Sequence, residues 1–173
     1  MQKIVLGGGC FWCVEAVYSS TNGVISAISG YANGDTPNPT YKAVCGGTTG
    51  YAEVVEVSFD ESIISLVAVL EIFWAIHDPT TLNRQGADVG TQYRSCIYFE
   101  DASLEECIHQ SLQNAQEHFS SNIVTEIAPL KSFYMAEEYH QNYFANNPTQ
   151  GYCLAVVAPK VAKFEEKFKE FAK

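Results

Sequence analysis

At 173 residues, 47% of them hydrophobic and 17% charged, the chain has the length and apolar content of one folded domain, and disorder is excluded. Its net charge of −10, with 10 basic residues scattered along it, excludes a polyanionic partner and therefore nucleic acid. No window approaches the roughly 18 apolar residues of a membrane span, and the run Ile4-Val5-Leu6 is too short for a signal peptide, so a reduced, cytoplasmic protein is expected despite its six cysteines.

Residues 2–7 read as a buried strand and 12–20 as a short helix, ended by the polar run Ser19 to Gly23. A second strand is expected at 24–30. The segment 31–50, rich in Gly, Pro, Asn and Thr, reads as a long functional loop. Residues 53–59 read as a third strand and 66–76 as a buried helix anchored by Phe73 and Trp74. A second polar loop, 77–90, leads into a strand at 93–99. An amphipathic helix at 101–119 carries Leu104, Cys107, Ile108, Leu112, Ala115 and Phe119 on one stripe. A further strand is expected at 123–127, and a C-terminal helix after Pro159 with Phe164, Phe168 and Phe171 in line. Strand–helix–strand–strand–helix–strand is the order of the split βαβ unit. The expected fold is therefore α+β, a ferredoxin-like sandwich with a mixed sheet and added C-terminal elements, all in a single catalytic domain over 1–173.

The most pointed motif is Gly7-Gly8-Gly9-Cys10-Phe11-Trp12-Cys13. Three glycines end a strand, and a helix begins at the first cysteine. Unpaired N–H groups and the positive dipole end at a helix N-terminus favour an anion, so the Cys10 thiol is expected to ionise readily and act as a nucleophile. Two small buried thiols would leave the glycines and the bulky Phe-Trp pair unexplained. A zinc site would need a second ligand pair, and Cys45, Cys96, Cys107 and Cys153 stand alone, so no metal is expected. Glu53 opens a strand; buried in an apolar pocket, such a carboxyl has a raised pKa and can donate a proton. His77 and His140 read as packing or capping residues rather than catalytic ones.

These segments together resemble the type A peptide methionine sulfoxide reductases. The resemblance runs through Gly9-Cys10-Phe11-Trp12-x-x-Glu15, Gly30-Tyr31, Pro37-Asn38-Pro39-Thr40-Tyr41 and Thr49-Gly50-x-Ala52-Glu53-Val54-Val55. It continues in His77-Asp78-Pro79-Thr80, in Arg84-Gln85-Gly86-x-Asp88-x-Gly90-Thr91-Gln92-Tyr93-Arg94-Ser95 and in Glu138-Tyr139-His140-Gln141, covering roughly residues 4–160. It implies that Cys10 attacks the sulfur of a methionine S-sulfoxide, free or in proteins, while Glu53 protonates its oxygen. It further implies that Tyr41 and Tyr93 hydrogen-bond that oxygen, that Asp88 supports the site, and that Phe11 and Trp12 hold the methyl group. A sulfenic acid on Cys10 would follow, then an intramolecular disulfide, then reduction by thioredoxin or a similar dithiol. No cofactor is implied, and a monomer is expected.

The sequence departs from the family pattern at Cys13, commonly glycine, at Tyr51, usually histidine, and at Ala87, usually asparagine. Two thiols compete to resolve the sulfenic acid. Cys13 lies one turn from Cys10, and Cys153 matches the family's tail position; proximity favours Cys13. Two rival functions remain: a general Cys-x-x-Cys thiol–disulfide oxidoreductase, and a protein that binds oxidised methionine without turning it over.

Overall fold

The computed structural model describes all residues, 1–173. Strand β1 (Gln2–Gly7) leads through two glycines into helix α1 (Phe11–Ser19), and β2 (Val24–Ala32) returns alongside. A short helix α2 (Tyr41–Cys45) interrupts the long loop before β3 (Ala52–Phe59) and helix α3 (Leu66–Ile76). A two-residue ladder, β4 (Arg84–Gln85) and β5 (Asp88–Val89), precedes a single 3-10 turn at Thr91–Tyr93 and β6 (Cys96–Phe99). Helix α4 (Glu105–Gln116), β7 (Glu126–Pro129), β8 (Phe133–Met135), α5 (Tyr143–Asn146) and α6 (Ala158–Lys167) complete the chain.

The strands lie in the order β7-β6-β1-β3-β2-β8. The central four, β6-β1-β3-β2, pair antiparallel throughout, as the split βαβ unit requires. Parallel β7 on β6 makes the sheet mixed, and antiparallel β8 extends the other edge beyond β2. The fold class expected from sequence is the one observed.

The expected strand at 123–127 forms three residues later, at Glu126–Pro129, and β8 has no counterpart among the expected elements. Residues 93–95 are not strand: the chain turns at Thr91–Tyr93 and pairs with β1 only from Cys96. The C-terminal helix does not begin at Pro159. Helical backbone already runs from residue 151 through a π-helical turn, Cys153–Val157, into α6. Proline offers no N–H to an α-helical ladder, and a wider turn ahead of it accommodates the missing bond and the ring.

Side chains alternate across β3. Val55, Val57 and Phe59 join the main apolar cluster with Leu6, Val17, Phe73 and Ile97, whereas Ala52 and Val54 join a smaller cluster with Val5, Cys96 and Tyr98 on the other face. Glu53 has the parity of Val55 and Val57. It therefore lies on the helix-covered face, at the end of the sheet where α1 starts, opposite Tyr31 of β2. The carboxyl is carried into the core by strand geometry alone.

Candidate active site

The turn between β1 and α1 is built for close approach. Gly9 has φ +91°, and a Cβ there would lie 2.7 Å from Cβ and Cγ of Gln85. Gly8 packs on the His77 ring, where a Cβ would approach to 3.1 Å. His77 is itself buried. Its Nδ1 lies 2.6 Å from the Phe73 carbonyl, which can only accept, so Nδ1 carries the proton and Nε2 accepts from the Ser95 hydroxyl at 2.8 Å. Burial lowers its pKa to about 4, so the ring stays neutral and braces the glycine turn. A general base it is not.

Cys10 is the N-cap residue of α1 and is partly exposed. Its thiol differs from the expectation of ready ionisation. Burial, then the charge of Glu53, then Cys13 push its pKa well above the usual thiol value, and only the Trp12 backbone N–H pulls the other way. The helix N-terminus is present, yet desolvation and a neighbouring carboxylate outweigh it.

Glu53 is 1% exposed. Its Oε1 accepts the Phe11 backbone N–H at 3.2 Å, one residue from the nucleophile, and its Oε2 has no partner. Burial raises its pKa to about 8, against the pull of the Phe11 N–H and with a further push from Asp88. At neutral pH the group is a carboxylic acid with a proton to give.

Tyr41, the first residue of α2, and Tyr93, in the 3-10 turn, both lie in the field of Glu53. Burial, then that charge, hold both phenols far above their ordinary range, so they remain hydrogen-bond donors. Tyr41 is fixed through its backbone N–H, which Glu137 Oε2 accepts at 3.0 Å, and through its ring, 4.3 Å from His140. Tyr93 is fixed by its neighbour Arg94, whose Nη1 donates to the Thr91 carbonyl and whose Nη2 donates to the Gly50 carbonyl, each at 2.9 Å. The guanidinium thereby ties the Tyr93 turn to the approach of β3. Asp88, in β5, accepts the Tyr152 hydroxyl at 2.7 Å through Oδ2.

The two aromatic residues after Cys10 are not equivalent. Phe11 is fully buried, packed on Tyr31, Tyr41 and His140, so it backs the site. Trp12 is partly exposed, stacked on Tyr143 at 3.7 Å, and donates Nε1–H to His140 Nδ1 at 3.0 Å. Accepting there leaves a neutral His140 with its proton on Nε2, buried and without a partner.

Cys13 and Cys153 are both buried, and Cys13 lies in the field of both Cys10 and Cys153. All six cysteines are free thiols. Cys45 is exposed beside Tyr41, Cys96 is fully buried, and Cys107 is half-buried on α4, outside the main apolar cluster. Tyr51 does not stand in for the family's histidine in the site. Its hydroxyl donates to the Thr36 carbonyl, and its ring lies so close beneath Gly34 that it pins the 31–50 loop. Ala87 is exposed between β4 and β5.

Glu53, Cys13, Asp88 and Tyr93 lie in the electrostatic neighbourhood of Cys10, Tyr41 in that of Glu53 and Cys153 in that of Cys13. Tyr152, His140, Tyr143, Glu137 and Arg94 were not assigned there, although Tyr152 adjoins Cys153 and His140 lies in a motif noted above. The largest cavity, about 600 Å³, is lined by Trp74, His77, Lys160 and Phe164 and holds none of Cys10, Glu53, Tyr41, Tyr93 or Asp88. No three His, Cys, Asp or Glu side chains come together as a metal site, and no helix is long and apolar enough to cross a membrane.

Residues 2–172 match the family model described as peptide methionine sulfoxide reductase. A relative named peptide methionine sulfoxide reductase MsrA, from Leptospira borgpetersenii serovar Hardjo-bovis (strain L550), is 56% identical over 95% of this chain and 93% of its own length. The crystal structure of Mxr1 from Saccharomyces cerevisiae in reduced form aligns with TM-score 0.83 and 40% identity, covering 88% of each chain. The crystal structure of Mxr1 in complex with Trx2 aligns with TM-score 0.60 and 28% identity, over 82% of this chain and 84% of that one.

Proposed function

Because the chain belongs to the peptide methionine sulfoxide reductase family, we propose that it reduces the S epimer of methionine sulfoxide, free and in proteins, with Cys10 as nucleophile and Glu53 as acid. The observation that carries this is the Glu53 carboxyl: 1% exposed, anchored through Oε1 beside Cys10, open at Oε2, with a pKa of about 8. Sulfoxide oxygen leaves a sulfur only when protonated, and a neutral carboxylic acid next to a thiol supplies that proton.

Cys10 Sγ attacks the sulfoxide sulfur as its thiolate. An S–S bond forms as Glu53 protonates the oxygen; the hydroxyl then shifts to Cys10 Sγ, making the new S–O bond while the S–S and S–O bonds to the methionine sulfur break. Methionine leaves and Cys10 holds a sulfenic acid. Cys10 ionises with difficulty and Glu53 holds its proton tightly, so both are protonated at neutral pH, and the reactive form, thiolate beside carboxylic acid, is reached when the pair gives up its first proton. The phenols of Tyr41 and Tyr93 donate to the oxygen, and Asp88 supports the site. Trp12 offers the accessible apolar face for the methyl, with Phe11 behind it. Cys13, one turn along the same helix, then condenses with the sulfenic acid; Cys153 beside it is the alternative. A thioredoxin-type dithiol restores the thiols, in line with the Trx2 complex of the yeast relative. The enzyme works as a cytoplasmic monomer, one catalytic domain over 1–173. The bridge between Thr21 and Ala172, which ties the chain's end to the α1–β2 turn, supports that domain reading.

Cys10→Ser should abolish release of methionine from the S epimer; retained turnover rules the assignment out. Assaying disulfide reduction in parallel separates the general oxidoreductase, because only that activity survives loss of the Glu53 proton.

A further inference from the structure

The Trp12-x-x-Glu15 end of the cysteine motif and the run Glu138-Tyr139-His140-Gln141 meet across the fold, and the chemistry above uses neither Glu15 nor that run. Glu15 follows Trp12 by three residues in α1, so both side chains leave the helix on one face. It is 2% exposed, and its Oε1 accepts the Asn142 backbone N–H at 3.0 Å. A buried carboxyl needs such partners, and this one comes from 127 residues away. Asn142 is left-handed, with φ +54°, and opens α5; its side chain is exposed. The next residue, Tyr143, stacks flat on Trp12, with centroids 3.7 Å apart and planes 4° from parallel. Trp12 Nε1–H donates to His140 Nδ1 at 3.0 Å. The preceding part of this strap is tied to the sheet and to α2. Glu137 accepts the Tyr31 hydroxyl and the Tyr41 N–H, and Gln141 bonds both the N–H and the carbonyl of Ser29. Past Gln141, the hydrogen bond from strap to α1 is the one that Glu15 accepts.

We propose that Glu15 is a positioning residue for substrate specificity: by holding the Asn142 bend it keeps Tyr143 against Trp12 and fixes the indole face that grips the sulfoxide methyl. The inference rests on the reading above in which Trp12 holds that methyl. The indole has two restraints, the His140 bond and the Tyr143 ring, and Glu15 governs the second. An indole fixed in one pose fits a methyl group and rejects a longer alkyl chain, whereas a loose one adjusts to both. The Glu53–Phe11 anchor beside Cys10 draws on none of these bonds, so the chemical step on bound substrate does not depend on them.

Glu15→Ala removes the acceptor, and Glu15→Gln keeps an oxygen in its place. Because Glu15 is buried, Glu15→Ala also loosens the fold, so a pair at the exposed end of the bond serves beside it. Asn142→Val is strained at φ +54°, Asn142→Gly takes that conformation freely, and both keep the N–H. Two measurements are made: the indole N–H NMR signals of Trp12 and Trp74 in ¹⁵N-labelled protein, and single-turnover rates against methionine S-sulfoxide and its S-ethyl analogue of the same configuration. In Glu15→Ala and Asn142→Val the Trp12 signal should shift while the Trp74 signal stays. The half-saturating methionine sulfoxide concentration should rise about tenfold, with the rate at saturation within about twofold of wild type. The preference for methyl over ethyl should fall about tenfold, the lower end of what one methylene decides in a fitted pocket. Glu15→Gln and Asn142→Gly should behave as wild type. An unmoved Trp12 signal with unchanged half-saturation in the two disruptive variants overturns the proposal. So does a lowered saturating rate with the methyl preference intact, the mark of general loosening. A shifted Trp12 signal with wild-type half-saturation and preference sinks the underlying reading as well, because Trp12 then does not hold the methyl.

Discussion

Glu53→Gln separates the carboxyl's proton from its shape. Glutamine keeps an oxygen for the Phe11 N–H now bonded at 3.2 Å, so the start of α1 stays satisfied. What disappears is the acid, and with it the cost of ionising a buried group. Displacement of the Glu53 pKa from 4.5 to about 8 corresponds to ~5 kcal/mol against the charged form, at about 1.36 kcal/mol per unit. The sign follows from proton uptake. Between about pH 4.5 and 8 the folded protein holds a proton here that the unfolded chain has released, so wild-type stability falls as pH rises through that window. The variant has no such group. It should match wild type below about pH 4.5, exceed it by ~3 kcal/mol at pH 7, by ~4 kcal/mol at pH 8 and by ~5 kcal/mol from about pH 9. Glu15, also buried with a pKa raised to about 7, is common to both proteins and cancels. The same variant should lose roughly 10²–10⁴-fold in the rate of methionine release, the range for general acids. Urea unfolding at a series of pH values, beside single-turnover kinetics, reads both effects. A stability difference that does not grow with pH refutes the burial argument, and an unimpaired first step refutes the acid role.

The pH dependence of the first step follows from the Cys10–Glu53 pair. The pair gives up its first proton as pH climbs through about 8, so kcat/KM for methionine release should rise through about pH 8 and level off above it, whereas a decline centred below pH 7 would contradict it. Gly9→Ala should destabilise the fold by ~1–3 kcal/mol and slow the first step, because φ +91° strains an L-residue and the new methyl meets Gln85 at 2.7 Å. Thermal unfolding and single-turnover release measure both effects, and a neutral variant shows that the turn does not position Cys10.

Much of the fold was legible because its signals are local. The bounds of β1 and α3 follow from uninterrupted apolar runs, and the order of elements specifies the split βαβ topology. Strand β8 was not legible, since Phe133-Tyr134-Met135 is too short to show a period and pairs only with the edge of β2. Glu53 could have been placed by parity: it alternates in step with Val55, Val57 and Phe59, on the face that must be covered. The ionisation of Cys10 could not. Sequence marks a helix N-terminus, but not how deep the thiol sits or that a carboxylate 43 residues away will be drawn to its side. Tyr152 was passed over for the same reason, because its partner Asp88 is 64 residues distant.

The central claim is that oxygen passes from a methionine sulfoxide to the sulfur of Cys10 with the proton of Glu53. The most direct measurement is intact-protein and peptide mass after one turnover without reductant, in a Cys13→Ser, Cys153→Ser background. The account predicts one methionine released per enzyme and one added oxygen on the peptide bearing Cys10, with both lost when Glu53→Gln is added on the same time scale. Methionine released without any oxygen on Cys10, or oxygen found on another cysteine, would contradict it.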